Sequence, residues 1–262
     1  MKSLHKILSL HCKKINKTIV QIRSSSDEEL IHDFRVQFKK IRAIIRLTGN
    51  LKTPSPLKNL YAAAGKVREL QLLKNQLQKI QPVDGLSQFY NFINQQIYSS
   101  LECLKNIAVN DYKKDLEMLV ANADDYLTVR QVKKFTHKKT EDLKKIFQLP
   151  RKTDKSIHDA RKIIKDLVYS FHTLEETGVD GFYLSPAEKE FLLTISTELG
   201  IFQDWCTIIS HLSLTKLRSI PTDEKLILKK IREGFLKAKQ EARSIILPQL
   251  NEKRFSFVKT GG

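Results

Sequence analysis

One nine-residue string occurs twice in this 262-residue chain, and it constrains the fold more than any other feature. Ile31-His32-Asp33-Phe34-Arg35-Val36-Gln37-Phe38-Lys39 returns 126 residues later as Ile157-His158-Asp159-Ala160-Arg161-Lys162-Ile163-Ile164-Lys165. Five of the nine positions are identical, in the order I-H-D-x-R-x-x-x-K. The same offset lays His11 on His137 and Lys13 on Lys139. Further on, Gly65-Lys66-Val67-Arg68-Glu69-Leu70 is echoed by Gly200-Ile201-Phe202-Gln203-Asp204-Trp205. Repetition on this scale predicts two copies of one supersecondary unit, each needing its neighbour to bury an apolar face. The join falls near Asp124–Thr128, giving a first four-helix repeat over 1–124 and a second over 128–250.

The unit is helical. Apolar residues recur at three- and four-residue spacing nearly throughout, with no paired strands and no hairpin turn. Eight long segments are expected. They cover about 3–23, 27–48, 56–80, 86–121 (continuous or broken), 128–147, 154–176, 186–212 and 223–247. Ser24-Ser25-Ser26-Asp27, Gly49-Asn50, Pro82 with Gly85, Pro150, Gly178, Ser185-Pro186 and Pro221 punctuate them. The tail after Asn251 is expected to fray. The fold class that follows is an all-α bundle architecture.

On a helical wheel His32, Arg35, Lys39, Arg42 and Arg46 fall at 0, +3, +7, +10 and +14, one stripe within an arc of about 80°. Ile31, Phe34, Phe38, Ile41 and Ile45 form an apolar stripe beside it. The second copy repeats this with His158, Arg161, Lys165 and His172, and Val168 interrupts it where Arg42 stood. Like charges at i,i+3 and i,i+4 cost a few tenths of a kcal/mol per pair. A row of cations without acids beside the buried face is therefore destabilising unless an anion binds it. One such row is ordinarily a solvated face. Two rows at a fixed offset, each led by His, point to an anion site.

The rest of the chain supplies more cations. Formal net charge is +17, which suits a negative partner such as nucleic acid, an acidic surface or a free polyanion. Lys14 on the first helix, Arg130, Lys133 and His137 on the fifth, and Lys229 and Arg232 on the eighth extend the basic faces. If the halves face each other, these line one groove or central pore. Asp33, Asp159, Glu69 and Asp204 lie beside the basic residues, either orienting an Arg or His or complementing a helix dipole.

H-D-x-R-x-x-x-K near the start of the second helix of each half, with the Gly65–Glu69 and Gly200–Asp204 elements behind it, resembles the CHAD family, the conserved histidine α-helical domain. The resemblance spans essentially the whole chain. It implies two four-helix bundles related by pseudo-twofold symmetry, and a basic concave surface or pore that binds inorganic polyphosphate. It also implies association with cytoplasmic polyphosphate bodies. By carry-over His32, Arg35, Lys39, Arg42, His158, Arg161 and Lys165 face the ligand. Arg46, Arg68, His172, His11, Lys14, Arg130, Lys133, His137, Lys229 and Arg232 join them as the expected polyphosphate-binding set. The chain departs from the family's pattern at Gln203, where Arg is expected, and at Val168. A fused triphosphatase domain is not expected, since Glu188-Lys189-Glu190 is the nearest string to its motif and has the wrong order.

Rival functions have less to stand on. No Gly-rich phosphate loop, G-x-S-x-G or H-E-x-x-H occurs, and His32 and His158 have Arg and Lys rather than ligands on their own face. Neither an enzyme, a cofactor nor a metal is expected. Single-stranded nucleic acid is the alternative partner, but it needs aromatic platforms among the cations, and Phe34 and Phe38 sit on the apolar stripe. No apolar run reaches membrane-spanning length, and Cys12, Cys103 and Cys206 are odd in number and widely spaced. A cytoplasmic protein without disulfides is the expectation.

Overall fold

Caps and breakers divide the chain much as its sequence directs. The computed structural model describes residues 3–80, 85–179, 184–213 and 215–255. Among them are α1 (Leu4–Ser24), α2 (Glu28–Thr48), α3 (Ser55–Ile80), α4 (Ser87–Ala108), α5 (Lys113–Ala121), α6 (Val129–Phe147), α7 (Asp154–Thr177), α8 (Pro186–His211) and α9 (Thr222–Ile246). Asp27 accepts the Glu29 N–H to start α2, and Thr128 and Ser185 close capping boxes with Gln131 and Glu188. Gly49 (φ 77°) and Gly178 (φ 61°) end α2 and α7 in the left-handed conformation that glycine adopts without strain. Pro82 lies outside the described residues.

Two expectations are sharpened. The segment over 86–121, read as continuous or broken, is broken into two helices. The chain turns at Asn110-Asp111, where Asp111 accepts the Lys113 N–H and the buried Tyr112 donates its hydroxyl to the Ile107 carbonyl. The tail after Asn251 does not simply fray. It is held as far as Phe255, which is buried against Phe147 and Phe191 at ring separations of 5.3 and 5.2 Å.

Four helices form a closed circuit of contacts: α2 packs on α3, α3 on α8, α8 on α7 and α7 on α2. α1 packs on α2, α6 packs on α2 and α7, and α4 and α9 pack on α3 and α8 respectively. The apolar interior has two parts. The larger gathers Ile31, Phe34, Phe38, Ile41, Ile157, Ala160, Ile164 and Leu167 with α1, α5 and α6. The smaller joins the later turns of α3 and α8 to α4 and α9 through Leu70, Leu73, Leu77, Phe89, Ile208, Leu212, Leu228 and Phe235. On α3 the division falls between Val67 and Leu70, and on α8 between Phe202 and Ile208. Those intervals hold Arg68-Glu69 and Gln203-Asp204.

Long-range polar ties fix the frame. Glu224, buried in the first turn of α9, accepts the Gln88 and Phe89 N–H groups at 2.9 and 2.8 Å and so caps α4. Arg23 donates to the Ala108 and Asn110 carbonyls at the other end of α4. Asp154 takes Lys239 and Arg243 of α9 at 2.6 and 2.8 Å, so those two basic residues are structural partners. No described helix is long and apolar enough to cross a membrane.

Candidate functional site

The two basic stripes meet where the apolar core divides. Arg35 and Lys39 reach the junction from α2, Arg161 and Lys165 from α7, Arg68 from α3 and Asp204 from α8. Mutual electrostatic influence among these side chains reflects their proximity. Burial lowers the Lys39 ammonium from its ordinary 10.5 to about 8, and Arg35, Arg161 and Lys165 push the same way while Asp204 opposes them. Lys165 is lowered first by burial and then by Arg161. Asp204 is raised by burial, against the pull of Arg161, Arg68, Lys39 and Lys165. Desolvation therefore outweighs Coulomb attraction even beside four cations.

Charge here is left uncompensated. Among the described residues, Lys39, Arg161 and Lys165 have no carboxylate within ion-pair distance, and the Arg161 Nε is buried without a hydrogen-bond partner. Arg35 is held by its neutral surroundings. Its guanidinium lies 4.5 Å from the Tyr61 ring centre and donates to the Tyr61 carbonyl at 3.1 Å. It also passes directly over Gly65, where a Cβ would stand 2.6 Å from Nη1. Gly65 is thus the clearance that lets Arg35 cross α3. Arg42 lies 5.6 Å from the same ring, within electrostatic reach of Arg46 and Asp166.

Other expected site residues are placed elsewhere. Arg46 bonds Asp166, a buried carboxylate that also takes Lys139 at 2.6 Å, so Asp166 clamps α2 and α6 onto α7. Arg68 stands 3.6 Å from Glu28. His158 is half-buried, with Nδ1 hydrogen-bonded to the Gln203 side chain, and burial lowers its pKa. His11 is buried under α2, 2.8 Å from the Gln37 amide oxygen, and is likewise lowered by burial. His172 is exposed and faces Glu175 at 3.9 Å, near the start of α8. His32, Lys14, Arg130, Lys133, His137 and Lys229 are exposed. Arg232 is half-buried on α9, its Nε buried without a partner.

Asp159 pairs with Lys162 at 3.0 Å and Asp33 is exposed, and among the described residues neither is hydrogen-bonded to the His before it. Glu69 is held low first by His211, whose Nε2 stands 3.9 Å from its carboxylate, ahead of the influence of Arg35. Phe34 and Phe38 are core residues, as their stripe predicts. Sequence reasoning missed Tyr61, Tyr169 and Asp166. Tyr169 is half-buried near Tyr61 and Arg161, and burial raises its hydroxyl pKa. Among the described residues, no group of three or more His, Cys, Asp or Glu is placed to hold a metal ion. The three cysteines are free thiols.

A family model described as CHAD domain matches residues 6–213. No curated protein matches the chain. Among solved structures, the crystal structure of the CHAD domain from the plant Ricinus communis is similar, with a TM-score of 0.71 and 17% identity. The alignment covers 98% of this chain and 92% of that one. At that identity the likeness speaks to the fold.

Proposed function

The chain belongs to the CHAD family, and from that premise we propose that it binds inorganic polyphosphate at the junction of α2, α3, α7 and α8 and performs no chemistry on it. The observation that carries this reading is the group of Arg35, Lys39, Arg161 and Lys165, partly desolvated and short of counter-charge. A polyanion threaded among them supplies that charge. Arg offers two donors to two phosphate oxygens, and Lys acts as a point charge. His32, Arg42, Arg68 and His158 extend the contact along the stripes. The remaining expected residues contribute the surrounding positive field.

The same reading includes an internal duplication about a pseudo-twofold axis, with α1–α4 matched to α6–α9 and a basic groove or pore between the halves. Supporting it, α4 and α9 begin 135 residues apart, the separation of Gly65 and Gly200. Recruitment to polyphosphate bodies in the cytoplasm is the cellular role that fits a binding module. Single-stranded nucleic acid is the weaker reading, because the Tyr61 ring at the site is already engaged by Phe38, Arg35 and Arg42.

The test is a pair of charge reversals. Arg35→Glu with Arg161→Glu replaces two attractions by two repulsions, and should weaken binding of labelled long-chain polyphosphate by about 3 kcal/mol or more. Lys58→Glu with Lys114→Glu changes net charge equally at two exposed positions and should weaken it far less. Equal loss from both pairs would show that binding reads overall charge and that no defined site exists. Preferential binding of single-stranded RNA over polyphosphate would transfer the site to nucleic acid.

A further inference from the structure

The feature this binding reading leaves unexplained is an acid among the cations. Asp204 lies on α8 in the gap between the two apolar cores, faced by Lys39 from α2, Arg68 from α3 and Arg161 and Lys165 from α7. It is half-buried, yet among the described residues it makes no ion pair or hydrogen bond. A carboxylate placed to lock a structure takes contact geometry, as Asp166 and Asp154 do here with two cations each. Asp204 does not. Its charge is felt by four cations and bonded to none, which is a poor strut and an effective spacer of potential.

We propose that Asp204 is a built-in counter-anion that sets the affinity of the site: it stands in for a phosphate group when the site is empty, and opposes the ligand's charge when it is full. This rests on the proposed polyphosphate site and deepens it. Without a counter-charge, like-charge repulsion falls on the empty protein. With one, that cost is reduced, and only a ligand bringing several negative charges at once outcompetes the resident carboxylate. A single orthophosphate gains little over what Asp204 already supplies, whereas a chain engages both stripes together. Asp204 is thus a discriminator between long and short anions.

Protonation offers the carboxyl a way to yield. An arriving polyanion makes ionised Asp204 less favourable, so binding draws a proton onto it as pH falls toward the acid range. The other titratable groups are Lys39, which takes up its proton near pH 8, and His158, next to Gln203. Arg35, Arg68, Arg161 and Lys165 are the other charged groups facing the site.

Asp204→Asn keeps the shape and deletes the charge. At pH 7.5 the variant should bind long polyphosphate about tenfold tighter, since a like charge facing the ligand is gone. Its salt dependence should keep the wild-type slope, because the number of phosphates contacted is unchanged. Its preference for long chains over orthophosphate should shrink. Unchanged or weaker binding, or a changed salt slope, would overturn the proposal and make Asp204 a structural support for the cations. Asp204→Ser should give the same sign if the Asn variant fails to fold. Should wild-type protein bind no polyphosphate, the functional reading fails by itself. The Asp204 proposal then still stands or falls on melting in sulfate, where the neutral variant should gain more than wild type and an equal gain would refute it.

Discussion

Lys39 gives the sharpest separation between a residue kept for binding and one kept for stability. It is a half-buried ammonium on α2, drawn down from 10.5 to about 8 by burial and by the neighbouring Arg35, Arg161 and Lys165. At about 1.4 kcal/mol for each pH unit, that difference is worth at most about 3.5 kcal/mol, less after solvent screening, against the folded protein whenever Lys39 is charged. The sign follows from proton counting. Between about pH 8 and 10.5 the unfolded chain holds a proton on this lysine that the folded chain has released, so stability rises with pH across that window. Below pH 8 the penalty is complete. Lys39→Met retains the buried stem and deletes the charge. It should be more stable than wild type by about 2–3 kcal/mol at pH 7, several degrees in melting temperature for a chain of this size. The advantage should close as pH rises through 10.5. The same variant should bind polyphosphate at least tenfold more weakly. Urea unfolding of both proteins from pH 6 to 11, with anisotropy of labelled polyphosphate at pH 7, measures both effects. A variant less stable than wild type at pH 7, or a gap independent of pH, would refute the reasoning and make Lys39 a structural residue.

Two further substitutions test the scaffold around the site. Gly65→Ala places a methyl group 2.6 Å from Arg35 Nη1, and the flexible guanidinium gives way before the helices do. Polyphosphate affinity should fall several-fold while the melting temperature moves by about 2 °C or less. Asp166→Ala leaves Arg46 and Lys139 without their buried partner and should cost about 2–3 kcal/mol in chemical denaturation, with a smaller effect on binding.

The all-α class and the two basic stripes were legible because both are periodic. Caps such as Asp27, Thr128 and Ser185 are local signals and mark helix starts reliably. The extra helix α5 was obscured because apolar spacing runs on through Tyr112, and only Asn110-Asp111 marks the turn. What periodicity could not give was the extent of the site along each stripe. The far members share the direction of the stripe but lie seven residues, about 10 Å, further along the axis than Lys39 and Lys165. At that level they meet other neighbours. Arg46 bonds Asp166, and His172 faces Glu175. The middle members, Arg35 with Lys39 and Arg161 with Lys165, stay together.

Position around the helix also explains the division of labour among the acids. Asp166 follows Lys165 in sequence, one step of 100° around α7, which carries it from the cation cluster to the side where α2 and α6 converge. There it bonds Arg46 and Lys139 in contact geometry and offsets their desolvation. Asp204 faces the opposite condition: burial raises its pKa despite four cations, so its charge is not held by good pairing. Two carboxylates near the same basic stripes therefore differ in kind. One consumes positive charge to fasten helices, and the other leaves it available. On the proposed reading, a site that captures a polyanion and also survives empty needs both, because cations fully paired cannot bind and cations wholly unpaired repel each other. The interruption of the apolar core at Arg68-Glu69 and Gln203-Asp204 is where this compromise is reached.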